Sequence, residues 1–547
     1  MDAQRLKQPK YSVRGNGPFL GYTANVGFAG TELIRIYANE PGHLITVAPT
    51  RAGKGRCHII PNLLTWPGSA IVLDVKSEIH AETSGYRANG LGQNILKFAP
   101  FELQSCRWNP LDPILALAKS KYDANSTPEK VRHLEAEMQD AVSLLIELMF
   151  TPPPGGPREP FWQNAAKSIV QGIVLYVCTA GMGDEPQDDS KSYSVRTRTM
   201  EEMRRLLTLE PDDFNALLEE MKDSRELWVR ESASFAKTNI KSAEQWVGVL
   251  SEAIVQTRIW SNERVKWVTG ATDGAFTKIR EKTTLYICIP PEHLNEYRAL
   301  FRVLVGTLLN ELKKSHSGRR NETPVLVVLD EFPQLHNMKP VEDAVSYMAG
   351  YGVKMWFFVQ DLGQLQHHYP TTWRSIFANC GVQMFFGVND HETAKLVSDM
   401  TGQTTISNET RGTSHARAEA EGTSNTSSAS DTSGGLFSGV QPTSTRGTSQ
   451  GVSRTLTFTE GSNYSQTNVG RALITPDEVM RLNPEQQIIF MRGHKPILAD
   501  LLLYDRNKLL KGRCLPVATK QIYEIPDEPV KTPVSEILVS DAQDLEI

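Results

Sequence analysis

The sequence predicts an α/β fold: a largely parallel sheet interrupted by a long all-helical insertion. Three observations predict it. A buried strand over residues 44–48 runs through a Gly-containing loop into a helix opening at Lys54, within HLITVAPTRAGKGRCHIIPNLL. A second unbroken apolar run, VLVVLDEF at 325–332, ends in two carboxylates. Such a run suits a central strand of a parallel sheet, with its carboxylates at the edge where ligands bind. Between the two, residues 125–280 lose the strand signal and carry long helical periodicities.

Strand, loop and helix in that order describe a phosphate-binding loop. A helix N-terminus leaves backbone N–H groups without partners and carries a partial positive charge, and a loop wrapping a polyphosphate uses both. Ala48, Pro49, Thr50, Arg51, Ala52, Gly53, Lys54, Gly55 and Arg56 form the candidate cradle, with Lys54 reaching the β- and γ-phosphates. The strict pattern G-x-x-x-x-G-K-[ST] is broken twice. Ala48 stands for the first glycine, which a strand-like negative φ would tolerate. Gly55 stands for the hydroxyl residue that ordinarily ligates Mg²⁺. At the end of the second apolar run, Asp330 is expected to hold Mg²⁺ through water, and Glu331 to polarise the attacking water. A Gly-Lys-Gly turn alone or an acidic strand end alone decides nothing. Together, in this order, they predict a P-loop ATPase.

Length and composition bound the rest. The 547 residues leave room for two to four domains, and the net charge of −5 gives no overall basic character to advertise nucleic acid. The six cysteines (Cys57, Cys106, Cys178, Cys288, Cys380, Cys514) are scattered without a C-x-x-C, which argues for a reducing compartment and against a disulfide framework or zinc ribbon. No apolar run reaches the length needed to span a bilayer, and the N-terminus has no apolar core of a signal peptide. The expectation is a soluble, cytoplasmic chain without a transmembrane segment of its own.

Taken in order, residues 1–40 read as a short β-rich lead-in. Residues 41–124 form the first part of the nucleotide-binding domain, with further strands at 69–75, ending in Asp74, Lys76 and Glu78, and at 94–98. The Pro-punctuated WNPLDPI at 108–114 is a loop. Residues 125–280 form the all-α insertion, with helices expected at 129–150, 163–177, 200–221 and 227–256. The sheet resumes in the second part, 281–402. There the strand at 353–360 ends in Gln360, which either senses the γ-phosphate or caps the following helix; its place at the sheet edge favours sensing. His367, His368 and His391 lack a metal-ligand arrangement and read as ordinary residues. Residues 403–469 collapse into Ser, Thr, Gly and Asn, and their apolar content is too low to offset the entropy of ordering, so a flexible insertion is expected. Residues 470–516 close the nucleotide-binding domain with strands at 487–492 and 496–504, and 517–547 form an acidic tail.

The series APTRAGKG with IIPNLL, IVLDVKSE, NPLDP, FWQNAAKSIV, LDEFPQL, FFVQDLGQL, FFGVNDHETAKLVSDMTG and LITPDEVMRL, spread over about 40–505, resembles the coupling-protein ATPases of type IV secretion and conjugation (the TraG/TraD type). That family often carries Gly at the position of Gly55, whereas Ala48 departs from its usual first glycine. The resemblance implies a RecA-like nucleotide-binding domain with an inserted all-α domain, ATP and Mg²⁺ as cofactors, and a homohexamer. It also implies a relaxase–DNA complex, or protein effectors, delivered to the secretion channel at the inner membrane. Members usually carry an N-terminal membrane anchor; without one, this chain is expected to be peripheral, held there by partners. Motors of this kind complete each site with an arginine from the next subunit, for which Arg374 is the candidate by position; Arg51 is a second cation near the phosphates. The leading expectation is an ATPase that moves single- or double-stranded DNA, or DNA-linked protein. The alternatives are an ATP-binding docking receptor that does not translocate, and a DNA pump unrelated to secretion.

Overall fold

The computed structural model describes residues 17–27, 30–38, 42–150, 160–182, 194–240, 243–273, 276–316, 323–335, 338–430 and 445–515. Within them the chain divides into two compact units, 1–397 with 476–547, and 398–475.

The first unit is built on an eleven-stranded sheet. Its strands are β1 (Phe19–Gly27), β2 (Gly30–Tyr37), β3 (His43–Val47), β4 (Ala70–Leu73), β5 (Asn94–Phe98), β6 (Thr283–Ile287), β7 (Val325–Leu329), β8 (Val353–Val359) and β9 (Cys380–Phe385). After the second unit, which holds β10 (Gln403–Ser430) and β11 (Thr445–Ala472), come β12 (Gln486–Met491) and β13 (Ile497–Asp500). The spatial order is β2-β1-β13-β12-β9-β3-β8-β7-β4-β6-β5. Strands β9 to β5 run parallel, while β12, β13, β1 and β2 extend the sheet by antiparallel pairing.

The split follows from sequence pattern. HLITV, VLVVL and VKMWFFV are buried at every position, as strands covered on both faces must be. The lead-in strands do not sit next to the phosphate loop's strand; they add to the far antiparallel edge through β13. The apolar run VQMFFGV predicts a strand at 382–388; the observed strand begins two residues earlier and ends at Phe385.

Between β5 and β6 the described regular structure is helical. Pro128–Met149 is capped by the Thr127 side chain, which accepts from the Lys130 N–H, and Met200–Leu207 is capped likewise by Thr199. Two expected helices are each divided. Residues 200–221 break before Pro211, which opens a new helix, Pro211–Lys222, because proline lacks the N–H an interior position needs and suits the first turn. Residues 227–256 form Leu227–Ile240 and Ala243–Gln256. The expected loop at 108–114 gives way at Asp112 to a helix, Asp112–Lys121. No helix among the described residues is long and apolar enough to cross a membrane. The expected acidic tail at 517–547, and all but Pro160 of the Pro- and Gly-rich TPPPGGPREP at 151–160, which reads as a turn-rich break, lie outside the described residues.

The second unit is a two-stranded antiparallel ribbon in unbroken register, from Gln403↔Ala472 to Ser430↔Thr445. It replaces the expected flexible insertion. The reasoning from apolar content holds so far as it goes, since the described ribbon side chains, Ala472 apart, are exposed and make no core. A backbone ladder needs no core, and threonine-rich sequence suits it.

Candidate functional site

The phosphate loop leaves β3 at its C-terminal end. Ala48 still belongs to the sheet, its N–H bonding the Val359 carbonyl at 3.0 Å. Ala48 is fully buried and is not among the residues with positive φ, so its methyl carries no backbone strain. The chain then reverses: Ala52 N–H bonds the Pro49 carbonyl, Arg51 adopts φ +66° and Gly53 φ +96°. Arg51 is uncommon in that left-handed region, whereas Gly53 is at home there. From Gly55 to Ile59 the helix is wide, with the Ile60 N–H reaching back to the Gly55 carbonyl, and it tightens over Ile60–Leu63. Pro61 supplies no N–H to the Cys57 carbonyl, and a wide turn relieves the clash its ring would make there. A Cβ on Gly55 would meet nothing within 4 Å, so packing does not exclude a hydroxyl at this position.

The structure brings Lys54, Asp330, Glu331 and Gln360 to one edge of the sheet. The sheet places β8 between β3 and β7, so Gln360, just past β8, stands between loop and carboxylates. Lys54 is buried (7% exposed); its ammonium donates to the Ala48 carbonyl at 2.9 Å and lies 3.8 Å from Glu331 Oε1. Glu331 holds φ +51°, a strained conformation for a residue with a long side chain. Its N–H bonds Asp330 Oδ1 at 3.1 Å. Gln360 Nε2 donates to Glu331 Oε2 at 2.8 Å, and Gln364 Nε2 lies 3.4 Å from Gln360 Oε1. Gln360 therefore aims its amide N–H₂ at the carboxylate. Asp361, not Gln360, caps the helix Leu362–His368, accepting from the Gln364 N–H. Burial, then the neighbouring Glu331 charge, pushes the Asp330 carboxyl up to about 7, with Lys54 opposing. A cation brought beside Asp330 would relieve that cost.

Other predicted residues fall elsewhere. Arg56 is exposed and forms an ion pair with Asp505. Arg51 and Thr50 are exposed on the loop. Arg374 is exposed on the helix Trp373–Asn379, its guanidinium 5.5 Å from the Trp373 ring centroid; the structure does not bring it to the Lys54 cluster.

Three residues at or beneath this edge were given no role by the sequence. Asp74 follows β4, whose Leu73 pairs Leu329 of β7, so Asp74 neighbours Asp330. It is buried, accepts the His80 N–H at 2.7 Å, and burial pushes it up to about 6. Its place at the end of an apolar strand was the available signal. Gly387 has φ +59°, and a Cβ there would lie 3.3 Å from Ala52 Cβ and 3.8 Å from Pro49; the chain after β9 thus presses on the phosphate loop. His58, on the loop's helix, is fully buried in a polar chain. Trp356 Nε1 donates to Thr46 Oγ1 at 2.9 Å; Thr46 Oγ1 lies 3.1 Å from His58 Nδ1, and His58 Nε2 3.1 Å from Gln487 Oε1. Gln487 spends its N–H₂ on the Leu20 carbonyl. His58 must therefore donate from Nε2 to Gln487 and accept at Nδ1 from Thr46. Burial lowers its pKa to about 3, so the ring stays neutral. The chain fixes the phosphate-loop helix to β3, β8, β12 and β1.

The family described as type IV secretory system conjugative DNA transfer matches residues 5–442 and 439–524. The chain belongs to this family. It is a type IV coupling protein, and curated relatives agree. Protein VirD4 of Agrobacterium fabrum (strain C58) is 26% identical over 534 residues, 97% of this chain and 68% of that protein. The conjugal transfer protein TraG of Escherichia coli is 25% identical over 514 residues, 88% of this chain and 70% of that protein. The coupling protein spans about two thirds of the length of such relatives, 62% for VirD4 of Rhizobium radiobacter. Among solved structures, the bacterial conjugative coupling protein TrwBdeltaN70 superposes with TM-score 0.54 at 12% identity, covering 92% of this chain and 90% of its own. TrwB in complex with ADP and Mg²⁺ gives 0.53 at 12% identity, covering 92% of each chain. These likenesses show the fold, the RecA-like P-loop arrangement of a coupling protein.

Proposed function

We propose that this coupling protein binds ATP with Mg²⁺ at the Lys54–Asp330–Glu331 edge and hydrolyses it to drive substrate into a type IV secretion channel. The substrate in this reading is DNA carried with its relaxase, or a protein effector, and the working form is a homohexamer docked at the inner-membrane face of the channel. The observation that carries the proposal is the chain Lys54–Glu331–Gln360: a buried cation, a half-buried carboxylate and an amide in line at the end of three neighbouring strands. Solved structures of TrwB in complex with ADP and Mg²⁺ and with a non-hydrolysable ATP analogue support the same ligand class.

In this reading Asp330 would hold the Mg²⁺ ion, which would supply neutralisation of the phosphate charge. The loop's N–H groups cradle the phosphates, and Lys54 exchanges the Ala48 carbonyl for a phosphate oxygen. Glu331 takes the proton of the attacking water, while Gln360 keeps its carboxylate in place. Arg374, exposed on its helix, serves a neighbouring subunit's site.

The test is steady-state ATPase activity of the purified chain with and without single-stranded DNA, for wild type, Lys54→Ala and Glu331→Gln. DNA-stimulated turnover that both substitutions abolish is expected. Turnover retained in Lys54→Ala would sink the site assignment. ATP binding without any DNA response would instead identify a docking receptor.

A further inference from the structure

The ribbon of the second unit has one face that is matched to itself. Along β11, Val452, Arg454, Leu456, Phe458 and Glu460 alternate onto one face, opposite Thr423, Glu421, Glu419, Arg417 and His415 of β10. Arg454 pairs with Glu421, the Arg417 guanidinium lies 5.8 Å from the Phe458 ring centroid, and His415 is 3.7 Å from Glu460. Yet Val452, Leu456 and Phe458 remain 65%, 47% and 74% exposed. The described sheet of the ribbon has two strands, so β11 has β10 as its one ladder neighbour. Its other edge offers a row of backbone N–H and C=O groups, a template for a further strand. A lone two-stranded ribbon is at best marginally stable in water.

We propose that this edge is an interface with a second copy of the chain, in which two β11 strands pair antiparallel about a twofold axis at Thr457. The charge pattern selects that partner and that register. With Thr457 opposite Thr457, Phe458 faces Leu456 and Arg454 faces Glu460 on both sides of the axis. Across the resulting four-stranded sheet, one row reads His415, Glu460, Arg454, Glu421, which sets Arg454 between two carboxylates. The next reads Arg417, Phe458, Leu456, Glu419, an apolar pair flanked by a cation and an anion. Moving the axis by one or two residues either way sets Arg454 or Glu460 against Leu456 or Phe458. A self-complementary patch of this kind is what a closed, isologous contact requires. The contact is independent of nucleotide chemistry and joins chains whatever their substrate.

The full chain is tested as Thr457→Cys, treated with a short bis-maleimide and read as covalent dimer on a denaturing gel. Residues directly opposite in an antiparallel pair have Cα atoms roughly 4.5–5.5 Å apart. The control is Ser449→Cys, whose two copies would sit about 50 Å apart along the strands. Wild type measures the background from Cys514, which is partly exposed where the other cysteines are buried. Dimer several-fold above both controls is expected for Thr457→Cys. Adding Arg454→Glu should remove it, and adding Glu460→Arg to that should restore it. Arg454→Glu also opposes Glu421 within the same ribbon, which Glu460→Arg does not repair, so restoration reports the contact between copies. Cross-linking of Thr457→Cys no better than Ser449→Cys, or a failure to restore, overturns the proposal.

Discussion

Glu331 is gripped from two sides, by Lys54 at 3.8 Å and by the Gln360 amide at 2.8 Å, while its own backbone sits at φ +51°. Such a carboxylate is aimed by its neighbours, since nothing in its backbone preference would hold it there. A hydrogen bond to a charged group contributes about 1.5–3 kcal/mol. Gln360→Ala should therefore lower kcat for ATP by about ten- to a hundredfold, with KM little changed, because in the proposed mechanism the lost contact positions the base and does not bind the nucleotide. Equal effects on kcat and nucleotide affinity would mean that Gln360 contacts the ligand directly. At this scale the sequence was legible where chemistry sits at a strand end: Lys54, Asp330, Glu331 and Gln360 all follow apolar runs. It was not legible for His58, whose partner Gln487 is 429 positions away. No local pattern marks a pair of that kind, and a lone buried histidine in a helix reads like any other.

The phosphate loop as an element is held from outside as well as by its own turn. Gly387 stands close beside it on the chain after β9, at a φ of +59° that an alanine adopts only at a cost of about 1–2 kcal/mol. Gly387→Ala adds to this a methyl 3.3 Å from Ala52 Cβ, tighter than an ordinary contact. The variant should unfold at lower denaturant by about that amount, and titration with a fluorescent nucleotide should show weaker binding. Normal nucleotide affinity in a destabilised variant would show that the loop does not depend on this contact. Elements were legible in proportion to how far burial shaped them. Strands β3, β7 and β8, covered on both faces, announce themselves as unbroken apolar runs. The ribbon of β10 and β11 buries nothing of its own among its described side chains, so hydrophobic periodicity could not reveal it. The break at Pro211 was visible as a residue, but the apolar spacing on either side stays in phase and masks it.

Across the whole molecule, the order of strands could not be read from the chain, because β12 and β13 return from beyond the ribbon to join β9, and β13 in turn takes the lead-in hairpin. The polar chain through His58 ties these distant segments together, and it gives the fold a pH signature. An unfolded histidine titrates near 6.5, whereas burial lowers His58 to about 3. The group's folded pKa is depressed, so its contribution is present in full above about 6.5 and is lost as pH falls toward 3. The unfolded chain takes up a proton that the folded chain refuses, at about 1.4 kcal/mol per pH unit. Asp330 and Asp74 act in the opposite sense. Raised to about 7 and about 6, they keep their protons in the fold, and their contribution is lost as pH rises. The acid profile of wild type is thus shallower than the histidine alone would make it, and the informative quantity is a difference between variants. His58→Gln should be less stable than wild type at pH 7.5, because the chain from Trp356 to Gln487 is broken. Between pH 6.5 and 5 that gap should narrow by about 1.4 kcal/mol per unit, since only wild type still carries the penalty. Urea midpoints of the two proteins across this range make the comparison. A gap that stays constant with pH would mean that the ring is protonated inside the fold, and that the hydrogen-bond polarity assigned to the chain is wrong.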